Sequence, residues 1–341
     1  MKQLTVLIVF VLIALGVGAW LIQKPMQNTA IETKLVLADF GSFADALQSV
    51  RIENAQGMLF NVKNVDGEWM AAVEAGQPSY PVSQQKLAEL VQTLVQAKLL
   101  EAKTSKTEHH SRLGLQSIIA EDSIATLVYL STSTKSWTLL VGKSASSGLG
   151  SYVRKPAAKQ SWLSDKNVPL PVDQFSWLKQ PILPYQQEDI VSVARVDKNN
   201  WHMTRDPQSN AFQLDVLPQG RTLQYDSILD AMASGLTALN FEALVRLEDE
   251  LISSMDIVTE LEVTTLQGTS FKVTVGQIEA QHYLYFTGEN KEIYWQQWVY
   301  QVSNFSAQQL IKTVDDFLAD QTSSQDDNVK TVSIDEGESP Y

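Results

Sequence analysis

The stretch WTLLVGKSASSGLGSYVRK, Trp137 to Lys155, decides how the chain is read. Its Gly142-Lys143-Ser144, followed by Gly148 and Gly150, invites a phosphate cradle. Such a loop of the nucleoside-triphosphate type needs glycine five positions ahead of Gly142, where the chain curls and aims successive amides at phosphate oxygens. Trp137 stands there. A dinucleotide fingerprint wants a third glycine three positions after Gly150, and that place holds Val153.

The second half of the chain points the same way. FKVTVG ends at Gly276 as WTLLVG ends at Gly142, and HYLYF places Tyr283 where SYVRK places Tyr152. The later version lacks the lysine, the serines and both following glycines, so a shared turn between strands explains what the two have in common. Trp69 with Trp201 and Phe175 with Phe305 extend the series, all four pairs lying 130 to 134 residues apart in the same order. The chain therefore reads as two copies of one unit, 39–186 and 187–320.

Each copy has the same expected order. A hairpin turns at Asp66-Gly67 or at Asp197 to Asn200. A helix follows, with Leu87, Leu90, Val91, Leu94 and Val95 behind Ser83, or Ile228, Leu229, Met232, Leu236 and Leu239 behind Asp226. Next come two period-two pairs, SIATLVYL with SWTLLVG and TELEVTTL with FKVTVG. Another hairpin turns at Pro156 or at Gly288 to Lys291, the latter leading into IYWQQW, and a closing helix is read in VDQFSWL and in SAQQLIKTVDDFLAD. Strands joined by hairpins with segregated helices make an α+β fold: an N-terminal transmembrane helix, then two tandem repeats of an antiparallel-sheet-plus-helix unit.

Leu4 to Ile22 carry no charged side chain over 19 residues, long enough as a helix to span a bilayer of roughly 30 Å. A cleaved signal peptide is the competing reading, with small residues in GVGA, but the apolar run exceeds the usual signal core. The expected organisation is an anchor at 1–24, a linker at 25–38, the two repeats, and a disordered acidic tail at 321–341, which has too few apolar side chains to offset its ordering entropy. With 26 basic against 39 acidic residues the net charge is -13, which repels phosphate backbones and argues against nucleic acid. The chain has no cysteine, so disulfides and thiolate metal sites are excluded.

No residue pattern points to catalysis, a cofactor or a metal. His109, His110, His202 and His282 show no metal-binding spacing and read as solvent-facing. Glu248, Asp249 and Glu250 lack the spaced loop of a calcium hand. Aromatic residues crowd HYLYFTGENKEIYWQQWVY. Among them Tyr285, Tyr294, Trp295 and Trp298 are the candidates for contact with a glycan or a protein partner, the alternative being a sheet covered on both faces.

Tyr80 to Val82, Gly114-Leu115, Val141-Gly142 and Tyr152 to Arg154, behind a single N-terminal span, resemble the bacterial family of domain of unknown function 4340 over about residues 50–184. The resemblance implies an anchored envelope protein, often encoded beside ABC-transporter components of the gliding-motility auxiliary type, and brings no catalytic residues. The expectation is a non-enzymatic accessory protein, single-pass in the bacterial inner membrane through residues 4–22, with its body in the periplasm and transporter permease or auxiliary subunits as partners. A glycan- or cell-wall-binding module is the alternative, and an enzyme the third reading.

Overall fold

A computed structural model of the protein describes residues 34–73, 78–288, 295 and 297–320. The apolar run at Leu4 to Ile22, Tyr294 and the acidic tail lie outside them. Among the described residues no helix is long and apolar enough to cross a membrane. The chain divides into two compact units, one ending at Leu178 and the other starting at Lys179.

In the first unit, alternating apolar residues build β1 (Ser49–Asn54), β2 (Gly57–Val65), β3 (Glu68–Ala72) and β4 (Pro78–Pro81). Helix α1 (Gln84–Gln96) and β5 (Leu99–Ala102) come next, then α2 (His110–Leu113), β6 (Thr126–Ser131), β7 (Ser136–Ser144), β8 (Ser151–Arg154) and β9 (Trp162–Ser164). All pairings are antiparallel, and the nine strands lie in the order β4-β3-β2-β1-β6-β7-β8-β9-β5. Register places Val62, Val50, Leu130 and Trp137 side by side in one row, and Phe60, Ile52, Val128 and Leu139 in the next. These rows are buried, as are Leu87, Leu90 and Leu94 on one stripe of α1. Ser83 caps that helix, its Oγ accepting the Lys86 N–H at 3.4 Å.

The second unit runs β10 (Ile190–Arg195), β11 (Trp201–Arg205), β12 (Phe212–Leu214), α3 (Ile228–Thr237), β13 (Ala243–Arg246) and α4 (Asp249–Ser253). It continues through β14 (Asp256–Thr265), β15 (Ser270–Ile278), β16 (Gln281–Gly288), β17 (Trp298–Val302) and α5 (Asn304–Leu310). Its eight strands lie in the order β12-β11-β10-β14-β15-β16-β17-β13, the order of the first sheet without β4. The rows correspond too: Met203, Val193, Val263 and Phe271 stand as Val62, Val50, Leu130 and Trp137 do. The main-chain bridge Val82–Leu178 has its counterpart in Leu223–Leu318, and the Ser83 N–H to Trp177 carbonyl bond in Gln224 N–H to the Phe317 carbonyl.

This correspondence corrects two of the residue pairs read from sequence. Gly142 with Gly276 and Tyr152 with Tyr283 occupy equivalent places, but Trp201 is the counterpart of Phe60, since both lead the second buried row. Phe60 meets Trp177 edge to face at 5.2 Å, and Trp201 meets Phe317 likewise at 5.3 Å, so the two aromatics have changed sides of one contact. Phe175 and Phe305 are therefore not equivalents. VDQFSWL forms no helix because the Asp173 carboxylate accepts the N–H groups of Phe175 and Ser176 and bends the chain. The last helix stops at Leu310, and Thr313 instead gives both its N–H and its hydroxyl to Asp316, starting a separate turn at Asp315–Phe317. Of the strand expected in IYWQQW, the described residues show β17 starting at Trp298, while Ile293, Tyr294 and Gln296 lie outside them.

Candidate interaction site

The glycine-rich stretch is a strand, a turn and a strand. β7 passes straight through Gly142 and ends at Ser144. In the turn, the Gly148 N–H bonds to the Ala145 carbonyl and the Ala145 N–H to the Gly150 carbonyl, so these amides serve the loop itself. Gly150 has φ of 85°, and a Cβ there would sit 2.0 Å from the Ser164 carbonyl oxygen. Gly142 has another reason to be glycine. A Cβ on it would lie 2.2 Å from the Leu113 carbonyl oxygen, and one on Gly276 would lie 3.0 Å from the Met255 sulfur. In both units the segment leading into β6 or β14 crosses close over that glycine.

Several of the motif residues quoted from the sequence, Gly114-Leu115, Gly142, Tyr152 and Arg154, converge on this crossing. Gly114, in the left-handed region at φ 67°, caps α2 and sends the chain back to Leu115. Leu115, Ala125 and Leu140 form a buried cluster with Tyr152 against it. Arg154, only 8% exposed, donates through Nε and Nη2 to the Leu115 carbonyl and through Nη1 to the carbonyls of Pro156 and Ala158 at 2.8 and 2.9 Å. Burial lowers the pKa of this guanidinium. Nearby His110 is also buried, with Nε2 2.8 Å from the Lys159 carbonyl oxygen.

The histidines thus depart from the solvent-facing expectation. His110 and His282 are buried, and His282 Nδ1 has no hydrogen-bond partner among the described residues. His202 is exposed but fixed. Among the described residues no three histidine, aspartate or glutamate side chains gather as a metal would require.

The aromatic contact candidates separate. Trp295 is 1% exposed and Trp298 is 0% exposed, so neither indole can stack on a ligand without unpacking the core. Trp295 donates to the Ile182 carbonyl at 3.1 Å and lies among Phe271 and Phe286. Trp295 and Trp298 thus fill the unit's interior and present no exposed face. Tyr285, opposite Thr274, is half-buried, and Tyr294 lies outside the described residues.

A cleft of about 870 Å³ opens in the second unit, lined by Arg195, Trp201, His202, Asp215, Val216 and Val314 among others. Arg195 and Trp201 form its fixed wall. The guanidinium pairs with Asp197 at 2.7 Å and donates to the Ile311 and Lys312 carbonyls beyond α5, and the indole N–H also reaches Lys312. At the mouth, His202 Nδ1 lies 2.5 Å from Asp215 Oδ2, and the Thr204 hydroxyl donates to Asp215 Oδ1 at 2.8 Å. Bonds from His202 and then Thr204 hold the Asp215 carboxyl below its ordinary value. Val216 is 79% exposed, and Asp315 also lines the opening. Trp201, Val216 and Val314 give the cleft an apolar surface beside the paired Arg195, and Asp215 and Asp315, the latter 3.7 Å from Arg221, give it an acidic rim suited to an apolar segment carrying positive charge. Sequence reading missed this site because His202 and Asp215 meet only through the pairing of β11 with β12.

No curated protein matches the chain, and no solved structure matches it. Residues 73–256 match the family described as Domain of unknown function (DUF4340), more than half of the 341 residues. The match spans the Arg154 crossing and, in the second unit, the cleft residues from Ala194 to Pro218. The chain, matched over more than half of its length, belongs to the DUF4340 family.

Proposed function

We propose that this protein is a non-enzymatic interaction protein of the bacterial envelope, held in the inner membrane by Leu4 to Ile22 with its two tandem units in the periplasm. Its partners are subunits of an ABC-transporter-type complex, permease or auxiliary. The observation that carries the reading is the use made of the motif residues: Gly114, Gly142 and Arg154 are committed to carbonyl contacts and close backbone packing. A chain whose motif residues serve folding, and which carries an acidic-rimmed cleft on its second unit, is suited to holding partners. The uncharged run of 19 residues supports the anchor. Affinity purification of the tagged full chain from membranes in mild detergent tests it. Permease or ATPase subunits should co-purify, and repeated recovery of the protein alone, or from the soluble fraction, would overturn the reading.

A further inference from the structure

The two units differ at one sheet edge. In the first, β4 covers the outer side of β3, with Met70 opposite Pro81 and Ala71 opposite Tyr80. The counterpart of β3 is β12, and among the described residues no strand pairs with its outer side. Because Leu223–Leu318 matches Val82–Leu178, residues 219–222 stand where 78–81 stand. They peel away instead. Gly220 takes φ of 76°, the Arg221 N–H bonds back to the Pro218 carbonyl, and Arg221 Nη2 reaches the Ala319 carbonyl at 3.0 Å.

The vacated edge presents main-chain groups. Asp215 N–H bonds to the His202 carbonyl and Asp206 N–H to the Ala211 carbonyl, so the intervening inward pair is Gln213 with Thr204. By the alternation of an antiparallel ladder, the N–H and C=O of Phe212 and Leu214 point outward. Such an edge is a template for another strand. The cleft opens beside its end, walled by Trp201, Val216 and Val314.

We infer that an extended, basic segment of another protein docks here, adding to β12 as β4 adds to β3 and seating an apolar side chain in the cleft. Charge selects the occupant. Asp215 and Asp315 line the cleft, and Asp206 stands at the other end of β12. Of the neighbouring arginines, Arg221 pairs with Asp315 at 3.7 Å, Arg195 with Asp197, and Arg205 is committed to the carbonyls of Gln187, Ile190 and Asn210, so among the described residues no arginine pairs with Asp206 or Asp215. A second copy pairing edge to edge would bring Asp206 and Asp215 against the same acids. The chain's own residues 321–341 carry Asp326, Asp327, Asp335, Glu336 and Glu338 against a single Lys330. Both are repelled where a lysine- or arginine-bearing strand is attracted. The inference goes beyond the transporter assignment, since it concerns the chemistry of the docked segment and stands whichever complex supplies it.

The test uses the full chain in a mild non-ionic detergent and an array of ten-residue peptides that alternate apolar residues with Lys/Arg, with Asp/Glu or with Ser/Gln. Basic peptides should bind preferentially and slow amide exchange at Phe212 and Leu214. Leu214→Pro removes an outward N–H while sparing the inward pair, and should weaken binding by about tenfold or more. Asp215→Lys should weaken it as well. Equal binding of the three classes, or basic binding without protection of those two amides, overturns the inference. So does protection that appears without peptide, either as protein concentration rises or in a manner abolished by deleting 321–341. If Leu214→Pro loses its near-ultraviolet circular dichroism, the exchange measurement on the unaltered chain still decides.

Discussion

Arg154 gathers four carbonyl groups, those of Leu115, Lys155, Pro156 and Ala158, around a guanidinium shielded from water. Arg154→Met keeps much of the apolar stem and deletes every donor, leaving those carbonyls underbonded at a cost of about 2–4 kcal/mol in urea unfolding. Arg154→Lys should recover only part of this, because an ammonium cannot reproduce the planar fork. A loss under about 0.5 kcal/mol for Arg154→Met would sink the account, since that is the range of surface changes. Sequence made Arg154 visible as part of a motif but not its task, because Leu115 reaches it only through the fold. Likewise Gly142 was legible as special, yet as a strand corner, whereas the crossing of Leu113 requires it. Asp215 carries a pH consequence. Its folded pKa lies below 3.8, so its stabilising contribution is fully present above that value and is lost as pH falls through the folded one. The stability difference between the wild type and Asp215→Asn should therefore shrink as pH falls below 3.8; a difference that instead grew there would reverse the assigned direction.

At the scale of elements, the two helices that follow the first hairpins look alike in sequence but begin differently. Ser83 accepts the Lys86 N–H, whereas α3 is preceded by Ser227, with no side-chain cap bond, and not by the expected Asp226. Ser83→Ala should then cost about 0.5–1 kcal/mol, the lower part of the usual range because the bond is long, while Asp226→Ala should change stability by less than about 0.5 kcal/mol. Equal losses from the two, measured by thermal unfolding, would contradict the difference in capping. Apolar periodicity made α1, α3 and the long hairpins legible, since each buries one stripe or one face. It failed where short polar side chains compete for the backbone. Asp173 bends what would have been a helix, and Asp316 with Thr313 cuts the last helix short. The open edge at β12 was equally invisible, because a missing strand shows only against the β4 of the other unit.

For the molecule as a whole, the duplication was legible from Gly142 with Gly276 and Tyr152 with Tyr283, while aromatic matching misassigned Trp69 and Phe175 because the paired rings of the two units have changed places. The boundary follows from the same contacts. Trp177 and Leu178 close the first unit, through the edge-to-face contact with Phe60 and the bridge to Val82. Residues after them serve the second: the Ile182 N–H bonds to the Leu239 carbonyl, Trp295 donates back to Ile182, and Tyr185 stacks on Phe271 at 5.9 Å. Each sheet closes its own strand pairing, so fragments 34–178 and 179–320 should each unfold cooperatively with a near-ultraviolet dichroic signal. A fragment starting at residue 187 forfeits the Ile182 and Tyr185 contacts and should be several degrees less stable than one starting at 179. Residues 73–256, the span of the family match, contain β4 through β13 but lack β1, β2, β3, nearly all of β14, and β15 to β17. With β1 to β3 removed from the first sheet, and β14 to β17 all but removed from the second, that fragment should show no cooperative transition, and a sharp one would mean that the sheets are not the units of folding.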